Sequence, residues 1–182
     1  MGYAIDEITE PFTLPRAGGG EVTIDWGAPA TVLVWTCNHC PYALAWHDRI
    51  QRVIEDYRPR GVVFAQINAN DPDRFPVDSM AAMEGRVANG EFASDYLQDA
   101  HQSHSKRWGA RVTPDVFVVD GEGRLRYHGA PDGDHTDPDQ NARYLREALD
   151  DVLAGRTPLR QKTPAVGCRI KWIVDDQPDP HE

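Results

Sequence analysis

Short apolar runs alternate along the chain with segments whose apolar residues recur every three or four positions. Thr31 to Trp35 is a continuous β-branched and apolar run, which is typical of a strand buried on both faces. After Pro41 the apolar side chains return at helical spacing, which predicts one face of an amphipathic helix. That face comprises Ala43, Trp46, Ile50, Val53, Ile54 and Tyr57. A second apolar run, Val62 to Ile67, follows a break at Pro59 and Gly61, so the order strand, helix, strand predicts a right-handed parallel crossover.

The rest of the chain predicts a mixture of helices and strands. The further elements are a small N-terminal hairpin over 12–14 and 21–24, a helix over about 80–88 capped by Ser79, a brief strand at 96–97, a helix over 100–108, a strand over 116–119 with an antiparallel partner over 124–128, a helix over about 141–154 ended by Gly155, and a C-terminal strand over 168–173. The loop over 131–138 is rich in aspartate but lacks the ligand spacing of a calcium loop, so we expect it to be solvated.

The length of the chain fits one domain. With 182 residues, and roughly 150 residues as a prior for one domain, we expect a single α/β domain over residues 1–174. Residues 175–182 are acidic and contain two prolines, and no apolar anchor holds them, so this tail is predicted to be disordered.

The charge balance excludes some classes of partner. Nineteen Lys and Arg residues against twenty-nine Asp and Glu residues give a formal net charge of -10. Such a chain repels a phosphate backbone, so neither nucleic acid nor an anionic membrane is an expected partner. No apolar run approaches the roughly 20 residues of a membrane helix. The N-terminal region does not resemble a secretory signal, which makes a reducing cytoplasm the expected location.

The main candidate for chemistry is the pair Cys37 and Cys40, placed where a buried strand passes into the long helix. Unpaired amides and the macrodipole at a helix N-terminus stabilise a thiolate and lower its pKa. We therefore expect Cys37 to be the exposed nucleophile and Cys40, one turn further on, to be the more buried resolving thiol. A protonated His39 between them would further stabilise the Cys37 thiolate.

Zinc binding is the alternative interpretation of this pair. A C-x-x-C segment is also half of a zinc site, and Cys168 with His39, His101 or His104 would have to supply the remaining ligands. Structural zinc sites normally have two paired ligand clusters, whereas this chain has one pair and one distant cysteine. Redox chemistry is therefore favoured, and we expect neither a metal nor a cofactor.

Thr113-Pro114 stands directly before the apolar strand over 116–119. From the residues alone, this proline marks the start of a strand, because proline cannot donate to a β-ladder.

Several segments together resemble a known family. They are Thr36-Cys37-Asn38-His39-Cys40-Pro41, the turn over 66–71, Val112-Thr113-Pro114-Asp115 and the segment over 166–172. From about Phe12 to Trp172 the chain is similar to thioredoxin-fold proteins of the redoxin type, the alkyl-hydroperoxide-reductase/thiol-specific-antioxidant (AhpC/TSA) group, and to a bacterial subgroup of thioredoxin-like proteins within it. The resemblance implies a three-layer α/β sandwich with a central mixed sheet. It also implies a cis-proline at Pro114 that faces the cysteines and backbone groups beside it that receive a substrate chain.

The chain departs from this family at informative positions. Thioredoxins have tryptophan and Gly-Pro where this chain has Thr36 and Asn38-His39, and the latter is closer to the Pro-His of oxidising disulfide-forming proteins. Peroxiredoxins need Thr or Ser three residues before the peroxidatic cysteine, where this chain has Val34. The resemblance therefore favours a thiol-disulfide oxidoreductase acting on protein or small-molecule disulfide and thiol partners. A peroxiredoxin-like thiol peroxidase and a non-catalytic metal-binding or interaction module remain as alternatives.

Cys168 is the unpaired member of the three cysteines. A buried inert thiol in a C-terminal strand is one interpretation, since free cysteine is often buried for its apolar character. The other interpretation is a third redox thiol. If the segment that carries Cys168 folds back over the edge of the sheet that carries the cysteine pair, Cys168 would accept a disulfide from Cys37 or shield it. The sequence assigns neither role, and it does not assign an oligomeric state.

Overall fold

The computed structural model describes residues 1–174; the predicted disorder of 175–182 falls outside the described residues. The strands are β1 (Phe12–Pro15), β2 (Glu21–Ile24), β3 (Ala30–Thr36), β4 (Val63–Asn68), β5 (Asp95–Gln98), β6 (Val112–Thr113), β7 (Asp115–Asp120), β8 (Leu125–Gly129) and β9 (Cys168–Arg169). The helices are α1 (Pro41–Tyr57), α2 (Met80–Ala88), α3 (Ser103–Trp108) and α4 (Arg143–Leu153), with short 3-10 turns between them. None of the helices in this part of the chain is long and apolar enough to cross a membrane.

The central sheet has five strands in the order β5-β4-β3-β7-β8. β3 runs parallel to β4, which confirms the predicted strand-helix-strand crossover, and β7 pairs antiparallel with both β3 and β8. β1 and β2 form the predicted separate hairpin. Because the carboxyl ends of parallel β3 and β4 meet at one edge of the sheet, the segments that follow them lie side by side.

Two apolar layers cover the central sheet. Val32 and Val34 of β3 pack on the side of α1 and α4, whereas Leu33 and Trp35 pack on the other side with Trp108 of α3. All seven residues of β3 are buried. This double coverage explains why β3 appears in the sequence as an unbroken apolar run.

Helix α1 buries the face that its apolar spacing predicts, together with one charged side chain. Nη1 of Arg49 lies 2.9 Å from Oδ2 of Asp132, and the indole of Trp46 donates to the same carboxylate at 2.7 Å. Asp132 is 1% exposed. The expectation that the loop over 131–138 is solvated was therefore wrong for this residue, because its charge is compensated by Arg49 inside the protein.

Three element boundaries differ from the sequence prediction by two or more residues. α3 begins at Ser103 rather than Ala100 because Gln102 has a left-handed backbone. α4 begins at Arg143 rather than Asn141 because Asn141 and Ala142 also have left-handed backbones. The C-terminal strand is two residues long instead of running from 168 to 173, since β9 pairs only with the equally short β6. The next residues are held by isolated contacts, including the Ile173 amide bonded to the side chain of Gln102 at 2.9 Å.

Candidate active site

Cys37 and Cys40 lie at the carboxyl edge of β3, where the chain turns into α1. Cys40 occupies the N-cap position, and Pro41 begins the helix. A proline at this position costs the helix no hydrogen bond, because the first amides of a helix have no intrahelical acceptor. Both cysteines are buried, with 2% and 1% of their surface exposed. The expectation that Cys37 is the exposed member of the pair was therefore wrong, because neighbouring segments cover both residues.

The hydrogen-bond partners of the two sulfurs differ. Sγ of Cys37 receives the backbone amide of Cys40 at 3.3 Å and lies 3.4 Å from the hydroxyl of Thr113. Sγ of Cys40 lies 3.1 Å from the carbonyl oxygen of Thr113. A carbonyl only accepts, so the Cys40 thiol must donate its hydrogen there. Cys37 thus faces donors that suit a thiolate, whereas Cys40 faces an acceptor that suits a neutral thiol.

The two thiols titrate as one unit. The hydrogen bond between Cys37 and Cys40 is the largest influence on both groups, ahead of their burial. This bond lowers the pKa of Cys40 to about 4 and raises the pKa of Cys37, so the pair keeps one shared proton at neutral pH. The hydrogen bond from Cys40 to the Thr113 carbonyl has the opposite preference, because a carbonyl only accepts and this contact therefore favours a proton on Cys40.

Thr113 and Pro114 pass close to the cysteines, and the peptide bond between them is cis. Thr113 contacts both sulfurs, as described above, and is 2% exposed. Its strand neighbour across β6 and β9 is Cys168. The backbone edge that the family resemblance assigns to a substrate chain is thus occupied by the protein's own C-terminal segment.

A buried carboxyl group, Asp115, follows the cis-proline directly. Oδ1 of Asp115 lies 2.9 Å from Nε2 of His128, and the amide of Arg111 donates to its other oxygen at 3.2 Å. Burial raises the pKa of Asp115 against the lowering effect of the bond to His128. The contact between Asp115 and His128 anchors the start of β7, next to Thr113. The two residues are too far apart in sequence to be recognised as partners from the sequence alone.

Asp78 is the main site residue that sequence reasoning missed. Its side chain is completely buried, and it accepts hydrogen bonds from the backbone amide of Asn38 and the side-chain amides of Asn68 and Asn70 at 2.7–3.0 Å. Nδ1 of His39 lies 2.6 Å from Oδ2 of this carboxylate. The sequence signal is weak: Asp78 directly precedes the N-cap Ser79 in the loop after β4, forty residues beyond Asn38.

Asn38 and His39 are held in place from several sides. The side chain of Asn38 accepts from the hydroxyl of Tyr96 at 2.8 Å and from Arg86 at 3.0 Å. The imidazole of His39 stacks on Phe75, with 5.7 Å between ring centroids. A ring nitrogen of His39 and Sγ of Cys37 lie within 4.8 Å of each other. The structure therefore puts His39 close enough to influence the charge on Cys37.

Thr36 and Cys168 are the remaining predicted site residues, and both lie next to the cysteine pair. Thr36 ends β3 and pairs with Asn68 of β4, so it fixes where the active-site loop begins. Cys168 packs against the small cluster of Cys37, Cys40 and Ala43. Burial, followed by the interaction with Cys40, raises the pKa of Cys168. The segment that carries Cys168 therefore does reach the active-site pair.

The residues with clustered potential metal ligands differ from those named by the zinc alternative. Within residues 1–174, Cys37, His39 and Asp78 have potential ligand atoms within 4.8 Å of one another. With zinc bonds of roughly 2.0–2.2 Å, two tetrahedral ligand atoms lie about 3.3 Å apart. The 2.6 Å between His39 and Asp78 is instead the distance of a direct contact. Three hydrogen bonds already occupy the carboxylate, so the arrangement fits an anchored loop better than a metal site.

Comparison with other structures places the chain in its class. It matches a hypothetical protein from Sinorhizobium meliloti 1021 with 32% identity and a TM-score of 0.89, covering 96% of this chain and 97% of that one. An uncharacterized conserved protein from Geobacillus kaustophilus gives 31% identity and a TM-score of 0.86, covering 94% and 93%. A putative thiol:disulfide interchange protein DsbE from Chlorobium tepidum shares the fold at 14% identity and a TM-score of 0.66, over 82% and 98%. No curated protein matches the sequence.

The mixed central sheet with its flanking helices is thus a thioredoxin-like α/β fold. The AhpC/TSA family model matches residues 5–128, which is more than half of the sequence. The chain belongs to the AhpC/TSA family, as the sequence motifs indicated.

Proposed function

We propose that the protein is a thiol-disulfide oxidoreductase in which Cys37 is the nucleophile and Cys40 the resolving thiol. The observation that carries this proposal is the donor environment of Cys37, whose sulfur receives the Cys40 amide at 3.3 Å at the start of α1. Thiolates attack disulfides and thiols do not, so a sulfur held among donors beside a protonated partner is ready to react.

The reaction proceeds by two exchanges. The Cys37 thiolate attacks one sulfur of a partner disulfide, the partner's S-S bond breaks, and its second sulfur leaves as a thiolate. Cys40 then gives its proton to the departing partner and attacks Cys37, which releases the first partner sulfur. The partner gains two electrons and the protein is left with a Cys37-Cys40 disulfide. Two thiols supply all of this chemistry, and no cofactor takes part.

The neighbouring residues have separate roles in this scheme. The Thr113 hydroxyl, 3.4 Å from Cys37, stabilises the thiolate, and the Thr113 carbonyl holds the proton on Cys40. Pro114 has no amide hydrogen and keeps that loop against the pair. His39 adds positive charge when protonated, and Asn38 fixes the loop through its bonds to Tyr96 and Arg86. Stabilising the thiolate favours the reduced form, which makes the protein disulfide more oxidising.

Reduction of insulin disulfides in the presence of dithiothreitol tests the proposal. Cys37→Ser should lower the rate to that of dithiothreitol alone, with an unchanged circular dichroism spectrum. Val63→Ser is a suitable control because Val63 is 45% exposed and lies at the opposite end of the sheet, and it should retain the wild-type rate. Full activity of Cys37→Ser would refute the assignment.

Family membership supports one alternative, a thiol peroxidase using the same two cysteines. The position three residues before Cys37 is Val34, which lies in the apolar core and offers no hydrogen bond to a peroxide. The alternative predicts rapid oxidation of Cys37 by hydrogen peroxide in a stopped-flow experiment. Oxidation at the rate of an ordinary thiol would remove it.

A further inference from the structure

The three cysteines lie together at the edge of the sheet where β3 ends. Cys40 interacts with the thiols of both Cys37 and Cys168. Cys168 also packs on the cluster formed by Cys37, Cys40 and Ala43. The thiol that the sequence leaves unpaired is therefore a direct neighbour of the resolving cysteine.

The segment around Cys168 is fixed to the site on both sides. Cys168 is the cross-strand neighbour of Thr113, whose carbonyl accepts the Cys40 thiol. One residue before it, a Cβ atom on Gly167 would lie 2.2 Å from the Thr113 oxygen, so only glycine allows this close approach. Two residues after it, the amide of Ile170 donates to the carbonyl of Arg111 at 3.0 Å. The position of Cys168 is thus imposed by packing and hydrogen bonds on either side of it.

The same segment is also connected to the active-site loop. The amide of Lys171 donates to Oδ1 of Asn70 at 2.8 Å, and the side-chain amide of Asn70 donates to Asp78 at 2.9 Å. Asp78 in turn contacts His39 and the amide of Asn38. A single chain of contacts therefore runs from the C-terminal segment to the loop between the two active-site cysteines.

We propose that Cys168 is a third redox thiol. It forms a disulfide with Cys40 by exchange, so that the Cys37-Cys40 disulfide is replaced by a Cys40-Cys168 disulfide. This inference rests on the proposed function, since it starts from the disulfide that one catalytic turnover leaves. It deepens that function, because it returns Cys37 to its nucleophilic form while the protein remains oxidised.

The step is an exchange without net oxidation. Cys168 loses its proton to solvent and attacks Sγ of Cys40 in the Cys37-Cys40 disulfide. The bond between Cys37 and Cys40 breaks, its electron pair leaves on Cys37 as a thiolate, and the Cys40-Cys168 bond forms. The donors around Cys37, which are the Cys40 amide and the Thr113 hydroxyl, are already placed to receive that thiolate. Attack on Cys40 rather than Cys37 follows from the contact between Cys168 and Cys40, because exchange depends on which sulfur the thiolate can reach.

The positions of the trypsin cleavage sites allow a direct test. One tryptic peptide, residues 17–49, contains both Cys37 and Cys40, and another, residues 163–169, contains Cys168. The reduced wild-type protein is oxidised with glutathione disulfide, quenched with acid and N-ethylmaleimide, digested and analysed by mass spectrometry. A disulfide within peptide 17–49 reports the proposed function. A cross-link between the two peptides, with the maleimide on Cys37, reports the further inference.

Two variants sharpen the comparison. Cys37→Ser should accumulate the cross-linked peptides as its main oxidised product, because Cys40 then has only Cys168 to pair with. Cys40→Ser should form at least about tenfold less cross-link, because this variant removes the thiol with which Cys168 interacts. The wild-type protein itself should show the cross-link, so the test does not depend on either variant folding.

Each outcome distinguishes the two proposals. A disulfide within 17–49 in the wild type, with Cys168 fully alkylated there and in Cys37→Ser, overturns the inference and leaves the proposed function intact. A cross-link equally abundant in Cys37→Ser and Cys40→Ser overturns the specific exchange with Cys40. The absence of both disulfides in the wild type refutes the proposed function and the inference with it.

Discussion

Nδ1 of His39 lies 2.6 Å from Oδ2 of Asp78, and the Asp78 side chain is completely shielded from solvent. The carboxylate also binds the Asn38 amide, so it fixes the backbone and a side chain of the loop between the two cysteines. Asp78, which belongs to the segment after β4, therefore holds this loop in a fixed conformation.

Replacing Asp78 by asparagine should destabilise the protein. The change removes a buried charge that accepts three hydrogen bonds, and it turns an NH₂ group toward at least one former donor. Hydrogen bonds to a charged group contribute about 1.5–3 kcal/mol, so we expect Asp78→Asn to lower the free energy of unfolding by at least this amount. Urea denaturation measures it. Asp73→Asn, an exposed position in the same loop, should change it by less than about 0.5 kcal/mol. Equal stability of the two variants would contradict the anchoring role.

Replacing His39 by alanine should raise the pH at which the cysteine pair first ionises. The imidazole lies within 4.8 Å of Sγ of Cys37, and when protonated it favours the thiolate. Thiolate absorbance in the ultraviolet, followed during a pH titration, gives the ionisation directly. His101→Ala, at an exposed position outside the site, is the matched control and should titrate like the wild type. An unchanged curve for His39→Ala would reject the tuning role.

The reduced wild-type protein should carry one thiolate from the pair at neutral pH. The lower pKa of the pair lies at about 4 and the other is raised, because the two thiols share a hydrogen bond. Below the lower value both thiols are protonated, and as the pH rises through it one thiolate appears and exchange becomes possible. Thiolate absorbance should therefore rise in the acidic range. Reactivity with a small disulfide should rise over the same range and then remain constant through neutral pH. A first ionisation near the pKa of free cysteine, about 8.5, would contradict the shared proton.

Replacing Gly167 by alanine should expose the cysteine pair. A Cβ atom at this position would lie 2.2 Å from the Thr113 oxygen, so β9 must move away from β6. We expect lower stability and faster alkylation of the active-site cysteines by iodoacetamide. Gly85→Ala is the control: it lies in α2 with no atom within 4 Å of the added Cβ. It should stabilise the helix by up to about 1 kcal/mol. Alkylation of Gly167→Ala at the wild-type rate would show that the C-terminal segment does not cover the pair.

Replacing Asp132 by alanine should be strongly destabilising. The change leaves Arg49, which is 2% exposed, without its carboxylate. Breaking a buried ion pair costs about 3–5 kcal/mol, whereas an exposed pair contributes about 0–1 kcal/mol. Denaturation of Asp132→Ala should show the larger loss. Glu147→Ala should show the smaller one, because its pair with Arg160 is half exposed on both sides. Similar values for the two variants would contradict the assigned burial.

The sequence alone determined the elements that hydrophobic period defines and the placement of the reactive pair. The apolar run of β3 and the spacing of α1 are local signals, because burial on two faces or on one face leaves a different pattern. Their junction places Cys37 and Cys40 at a helix start, and local sequence suffices for that too. The start of α3 was not predictable in this way, because the left-handed residue Gln102 is held by contacts with distant segments, the carbonyls of Ala69 and Lys171.

Only the tertiary structure decided what surrounds the pair. Asp78, Thr113 and Cys168 come from three segments that lie far from Cys37 along the chain, and they meet there because the strand edges converge. Their hydrogen bonds form between segments, so no local periodicity encodes them. The same convergence buries Cys37, which the sequence predicted to be exposed, and brings the third cysteine to the pair. The chemistry available to the pair could thus be predicted from its position at the start of a helix. Its partners and its burial could not, because they depend on the folding of distant segments onto one edge of the sheet.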